Sequence, residues 1–208
     1  MATTIRPATA ADAAQILAFI RALAAYERAP HAATATEADL LRDGFGSNPF
    51  FFCLIAEHGD RPAGFALYFF NYSTWEGRPG LYLEDIFVQP EFRGLGIGKA
   101  LLKRVAAVAV EKNCRRLQWE VLDWNTPAID FYRAMGAEFL DEWRNMRLSG
   151  EALERLAGVP CDAPTLEGTQ APTSSRGWLG APSFRRLSGE RMGDRESQST
   201  DVPEEAAQ

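Results

Sequence analysis

One stretch of this chain restricts its fold more than any other: Leu83-Glu84-Asp85-Ile86-Phe87-Val88-Gln89-Pro90, followed by Glu91-Phe92-Arg93-Gly94-Leu95-Gly96-Ile97-Gly98-Lys99. An apolar strand runs into a proline-marked turn, a glycine-dense loop follows, and an amphipathic helix opens out of it. The first amides of a helix have no intrahelical acceptor and sit at the positive end of its dipole, so they suit an anion. Glycine lets that backbone approach a phosphate closely, because no Cβ stands in the way. The segment is expected to hold a pyrophosphate where the helix begins.

Two well-known phosphate loops do not fit it. A Walker loop needs Ser or Thr after Lys99, and Ala100 stands there. A dinucleotide fingerprint needs its third glycine one position later than Gly98. The residues do spell Arg-x-x-Gly-x-Gly, as Arg93, Gly96 and Gly98. Taken alone, that pattern also fits a plain glycine-rich turn before a helix.

With 208 residues the chain is long enough to bury one sizeable core, and its net charge of −6 argues against a general nucleic-acid binder. Cys53, Cys114 and Cys161 stand alone, without a CxxC pair, so neither a zinc site nor a disulfide framework is indicated. The N-terminal residues show no apolar leader and no run approaches a membrane span, so a cytoplasmic location without membrane attachment is expected.

Patterning is strong to about Ala157. Ile5-Arg6-Pro7 reads as an edge strand, Thr9 to Tyr26 as an amphipathic helix, and Thr36 opens a second helix with Gly44 past its end. Strands are expected at Phe51–Ala56, Ala63–Asn71, Leu81–Gln89, Leu117–Leu122 and Phe139–Leu148, and helices at Gly96–Lys112 and Pro127–Arg133. That order implies an α/β fold with a twisted mixed sheet and helices on both faces. Residues 1–157 are read as one domain. Residues 158–208, rich in Pro, Gly, Ser, Thr and Arg with few apolar side chains beyond Trp178, Leu179 and Phe184, are read as a disordered tail.

Six further segments, in order, extend the pattern beyond the glycine loop: Leu23-Ala24-Ala25-Tyr26-Glu27; Asp43-Gly44-Phe45-Gly46 with Asn48-Pro49-Phe50; Tyr72-Ser73-Thr74-Trp75; Tyr82-Leu83-Glu84-Asp85; Val121-Leu122-Asp123-Trp124-Asn125; and Phe131-Tyr132 with Met135-Gly136-Ala137. Over residues 5 to 148 the chain resembles the GNAT superfamily of N-acetyltransferases, and within it the diamine and thialysine branch. The resemblance implies the acetyltransferase-type fold, acetyl-CoA as cosubstrate without a metal, a small primary amine as substrate, and a homodimer with each amine site near the subunit interface.

The chemistry explains the residue types. A lysine-type amine has a pKa of about 10.4, so presenting it neutral near pH 7.4 costs about 4 kcal/mol. A carboxylate, directly or through one water, can take that proton, and the departing thiolate benefits from a donor. No covalent enzyme intermediate is needed, which suits a chain whose His31 and His58 lie in loop-like, solvent-exposed contexts. Strand alternation puts Leu81, Leu83, Asp85 and Phe87 on one face and Tyr82, Glu84, Ile86 and Val88 on the other. Two carboxylates in an apolar strand are costly unless ion-paired or facing a cleft, and either reading suits Glu84 and Asp85.

By resemblance, Glu84 relays the amine proton and Tyr132 is the general acid. Phe87, Val88 and the loop Arg93, Gly94, Leu95, Gly96, Ile97, Gly98 and Lys99 bind the cosubstrate, with Asn125 on its pantetheine arm. Arg133 is either a phosphate contact or a solvated side chain. Thr126 or Asn125 can cap the helix that carries Tyr132, with Pro127 at its first position. Glu27, Trp75, Glu84, Asp85 and Asp123 are the candidate amine pocket, although Trp75 also fits a loop anchor. Polyamine-specific relatives carry an acid just before that tryptophan, where this chain has Ser73 and Thr74, which favours a thialysine-like or lysine-like amine over a diamine or polyamine. An inert acyl-CoA-binding scaffold is the non-enzymatic alternative, and the presence of both Glu84 and Tyr132 speaks against it.

Overall fold

The computed structural model describes residues 1–158. A five-stranded sheet has the order β1-β2-β3-β4-β5, formed by Thr3–Pro7, Phe52–His58, Arg61–Ser73, Arg78–Val88 and Leu117–Gln118. The first three pairings are antiparallel and the last is parallel, so the sheet is mixed as expected. Helices α1 (Ala13–Tyr26) and α2 (Glu37–Phe45) cover one face, and α3 (Ile97–Glu111) covers the other. A short helix, α4 (Thr126–Arg133), follows β5.

Period-two alternation on β2 and β3 divides the core into two layers. Leu54, Ala56, Ala66 and Tyr68 pack against Leu101, Val105 and Val108 of α3. Cys53, Ile55, Phe65 and Leu67 pack against Ile16, Leu17 and Phe19 of α1 and Leu40 of α2. Phe19 stacks on Phe65 with ring centroids 5.5 Å apart. Burying each such ring is worth about 1.5–3 kcal/mol. At the outer edge, Arg6 binds both oxygens of Asp12 at 2.8 Å and reaches Glu57 at 2.8 Å, tying β1 to β2 and to the start of α1. The Arg6 guanidinium holds the Asp12 carboxyl well below its ordinary range.

The strand β4 departs from simple alternation. Leu67 lies opposite Asp85 but Tyr68 lies opposite Leu83, so Glu84 is an extra, bulged residue. The bulge inverts the facing of everything after it. Leu81 and Leu83 belong to the α3 layer, Phe87 to the α1 layer, and Ile86 and Val88 pack with the α3 layer. The expected sharing of one face by Leu81, Leu83, Asp85 and Phe87 is therefore corrected: the two leucines face opposite to Phe87.

Other boundaries also shift. Gly44 lies inside α2, and β5 covers only Leu117–Gln118, with residues 119–122 outside any ladder. Phe139–Leu148 forms no strand; among the described residues none of its backbone groups pairs with another segment, and Trp143 and Met146 are exposed. Its apolar residues lack the strict alternation that defines a half-buried strand, and a strand without a partner is not stable. His58 is half-buried at the end of β2, where a ring nitrogen lies 2.9 Å from the Thr3 hydroxyl, rather than solvated in a loop.

Residues Met1–Asp141 make one compact unit, and Glu142 begins a second. The described part of the second contains α5 (Glu151–Ala157), a seven-residue helix absent from the sequence-based expectation, closed by Gly158 in the left-handed region and carrying a Glu151–Arg155 pair one turn apart. The expected tail, with Cys161 and Trp178, lies outside the described residues.

Candidate active site

The parallel ladder between β4 and β5 consists of two pairs, Leu81 with Leu117 and Tyr82 with Gln118. Past it, residues 83–88 and residues 119–122 line the two walls of a cleft of about 550 Å³. The glycine loop, the C-terminal end of α1 and the start of α4 complete the lining. The early end of β5 and the bulge at Glu84 are thus what open the sheet.

The glycine loop is anchored by two buried side chains, Phe92 and Ile97, which flank an exposed backbone. Gly94 and Gly96 both have φ of 78°, a conformation that side chains with a Cβ rarely adopt. A Cβ added at either would meet nothing within 4 Å, so the loop is a concave cradle open at its surface. Gly96 is the N-cap of α3, and its carbonyl accepts from Ala100 at 3.0 Å, leaving the first amides of the helix without intrahelical acceptors. Gly98 lines the cleft, and Lys99 is exposed beside it. Leu95 is exposed and does not line the cleft.

Arg93 is folded back from the loop. Its Nε donates to the Val88 carbonyl at 3.1 Å, and its guanidinium lies over the Tyr26 ring at 4.6 Å and over Phe87 at 5.7 Å. Tyr26 in turn donates its hydroxyl to Asn125 Oδ1 at 3.1 Å. Asn125 is buried at the N-cap position of α4, where its carbonyl accepts from Ala128 and Ile129 at 3.0 Å. Its side chain makes no capping bond and serves Tyr26 instead. One tyrosine therefore links the anion cradle to the helix that carries Tyr132.

Four carboxylates, Glu27, Glu84, Asp85 and Glu120, occupy the other end. Glu84 is exposed on the bulge, whereas Asp85 and Glu27 are half-buried. Burial pushes the Asp85 carboxyl up to about 6, with Glu84 and Glu27 adding to the shift. Burial also raises Glu27. The ring of Tyr132 packs against Trp119 at 4.9 Å and Phe131 at 5.3 Å. Burial and the Glu27 charge push its hydroxyl up to about 12, so it is a proton donor at neutral pH.

Of the remaining expected residues, Phe87 is buried in the core and lines the cleft with Val88. Trp75 is 90% exposed and, like exposed Asp123, lies outside the lining. Arg133 stacks over Phe139 at 5.0 Å, also outside it. Lining residues that the sequence reading did not name as site residues include Tyr26, Trp119 and Glu120. Tyr26 stood inside a segment quoted for resemblance, but only a contact across 99 positions reveals its role. Cys53 is buried, its thiol pushed up to about 12, which makes it inert. Among the described residues no group of three His, Cys, Asp or Glu could hold a metal, and no helix is long and apolar enough to cross a membrane.

The profile of the acetyltransferase (GNAT) family matches residues 16–137, a span that contains the whole cleft. The chain belongs to the GNAT acetyltransferases. Similar proteins place it in the diamine and thialysine branch. The thialysine N-epsilon-acetyltransferase of Sus scrofa is 47% identical over 165 residues, covering 74% of this chain and 96% of its own length. The spermidine/spermine N(1)-acetyltransferase-like protein 1 of Homo sapiens is 42% identical over 163 residues, covering 74% of this chain and 23% of its own. Among solved structures, an integron cassette protein from the V. cholerae mobile metagenome superposes with a TM-score of 0.65 at 28% identity, covering 76% of this chain and 98% of its own. The GNAT chain is an N-acetyltransferase of amines.

Proposed function

We propose that the protein transfers an acetyl group from acetyl-CoA to the side-chain amine of a thialysine-like or lysine-like amino acid. The observation that carries this reading is the single cleft that gathers the glycine cradle, Glu84 and Tyr132. The cradle fits a pyrophosphate, because open space lies where a Cβ would stand at Gly94 and Gly96. Arg93 to Lys99 would hold the phosphates, Phe87, Val88 and Asn125 the pantetheine arm, and Arg133 a further phosphate. Bound there, acetyl-CoA supplies the activated thioester.

The chain's own residues then manage the proton. Glu84, exposed on its bulge, takes the ammonium proton through a water, making the amine a nucleophile. Tyr132, kept protonated by its surroundings, offers its hydroxyl proton to the departing sulfur. Glu27 and Asp85, which line the cleft, receive the amine. The exposure of Trp75 suits the reading that the enzyme works as a homodimer with each amine site near the interface.

Thialysine is favoured over spermidine because no acid precedes Trp75 and Ser73 is buried, its hydroxyl accepting from the Glu76 amide at 3.3 Å. The sulfur of thialysine also lowers its distal amine pKa and with it the cost of deprotonation. The alternative, a diamine or polyamine substrate, draws support from the carboxylates in the cleft. Thiol release with thialysine, lysine and spermidine decides between them. The expected order in kcat/KM is thialysine first, with lysine slower for its more basic amine. A preference for spermidine would install the alternative, and no release with any amine would overturn acetyl transfer.

A further inference from the structure

The amine end of the cleft contains a carboxylate that the resemblance did not supply. Glu120 lies two residues beyond Gln118, the last residue paired in the β4–β5 ladder, so it sits at the apex where the two walls separate. Its neighbour Trp119 packs on Tyr132, and chain alternation sends Glu120 to the opposite side, towards Tyr82. There the Tyr82 hydroxyl donates to Glu120 Oε1 at 2.9 Å. Tyr82 is two residues from Glu84 on the other wall, and burial together with the charges of Glu120 and Glu84 pushes its hydroxyl above its ordinary value. Both carboxylates therefore act on one hydroxyl, from opposite walls.

The Tyr82 bond occupies one Glu120 oxygen and orients the group, and among the described residues the second oxygen has no hydrogen-bond partner. No lysine or arginine among the described residues forms a salt bridge with Glu84 or Glu120. The cations that line the cleft, Arg93 and Lys99, belong to the glycine loop. An amine whose reacting nitrogen lies by Glu84 has Glu120 on the facing wall of the same cleft, with no cation paired to either carboxylate among the described residues.

Resting on the acetyl-transfer reading, we propose that Glu120 receives the second ammonium of the amine substrate, the one that is not acetylated. That ammonium is the α-amino group of a thialysine-like substrate or the far amine of a diamine. Glu120 is then a specificity residue: it distinguishes an amine with a second positive charge from a simple alkylamine.

The test compares thialysine, 1,3-diaminopropane and propylamine on the wild type, Glu120→Gln and Tyr82→Phe. An exposed charge pair corresponds to about a fivefold change in affinity. Calorimetry on the CoA-loaded protein should show binding of thialysine and of 1,3-diaminopropane, each with two ammonium groups, weakened about fivefold by Glu120→Gln. Their KM should rise by the same factor while propylamine kinetics shift less than twofold. Tyr82→Phe frees the carboxylate and should give a smaller change of the same pattern. A loss confined to thialysine supports the proposal with the α-ammonium as partner, and a loss confined to the diamine supports it with the terminal ammonium. Equal losses for all three amines, no loss, or no binding of either thialysine or 1,3-diaminopropane would overturn it. Should the wild type bind thialysine through Glu120 yet acetylate nothing, acetyl transfer fails as the function while this assignment stands.

Discussion

The two ends of the cleft are built on different principles. At the glycine loop, the features are those of backbone: Gly94 and Gly96 in the left-handed region, open space where their Cβ atoms would be, and the first amides of α3. Its parts are contiguous in the chain. The amine end is made of side chains from distant places, with Glu27 at the end of α1, Glu84 and Asp85 at a bulge, Glu120 past the end of β5 and Tyr132 on α4. Burial does most of the tuning there: it raises Asp85, Glu27 and Tyr132, with the charges of Glu84 and Glu27 adding to Asp85 and that of Glu27 to Tyr132. A loop of backbone depends on local conformation; a pocket of side chains from distant elements depends on burial that only the fold provides.

Breaking the side-chain end should have the largest effect. Tyr132→Phe keeps the ring that packs on Trp119 and removes the donor, so turnover is expected to fall about 10²-fold with acetyl-CoA affinity and Tm nearly intact. Steady-state kinetics with parallel calorimetry checks it, and a variant as fast as wild type would return Tyr132 to a packing role. At the backbone end, Gly96→Val places a branched side chain in the cradle and strains a residue at φ 78°. CoA affinity should fall at least tenfold, or about 1.4 kcal/mol. Gly98→Ala separates the two causes, since φ is ordinary there and the added methyl would lie 3.8 Å from Val88 Cγ2. It should weaken CoA without lowering Tm.

The coupling within the acidic end has its own signature. Asp85 titrates near 6 in the fold rather than near 3.8. The folded state binds its proton more tightly, so this contribution to stability is complete below the unfolded value and is lost as pH rises through the folded one. Asp85→Asn removes that loss. The difference in Tm between the variant and wild type should therefore move by several degrees in favour of the variant between pH 4 and pH 7. A constant difference would mean that Asp85 is solvated. The smallest effect is expected at the junction of the two ends. Tyr26→Phe keeps the ring under Arg93 and deletes the bond to Asn125, so kcat should drop about threefold, the equivalent of one neutral hydrogen bond. A change in CoA affinity alone would confine Tyr26 to the cradle.

Much of this was readable from the chain. The strands β1 to β4, helices α1 to α3 and the glycine loop carry strong periodicity and turn chemistry, and each appears within a few residues of its expected place. Local signals suffice there because burial on one face of each element imposes the period. The segment Phe139–Leu148 shows the limit, for it contains aromatic and apolar residues enough for a strand but no partner ladder. Trp75 shows it again: a residue matched by resemblance stands exposed on the turn after β3, outside the cleft.

By itself, then, the sequence determined the order of the elements from β1 to α4 and the glycine loop that opens α3, because these depend on neighbours within one turn or one strand. Only the tertiary structure decided which face Phe87 takes, since a single bulge at Glu84 inverts the alternation and no local signal marks it. It alone decided where the sheet opens, through the two-pair ladder of β5, and which side chains meet there: Tyr26 with Asn125 and Tyr82 with Glu120. Those encounters span up to 99 positions of chain between Tyr26 and Asn125, and contacts at such separation are fixed by packing of whole elements, not by propensity.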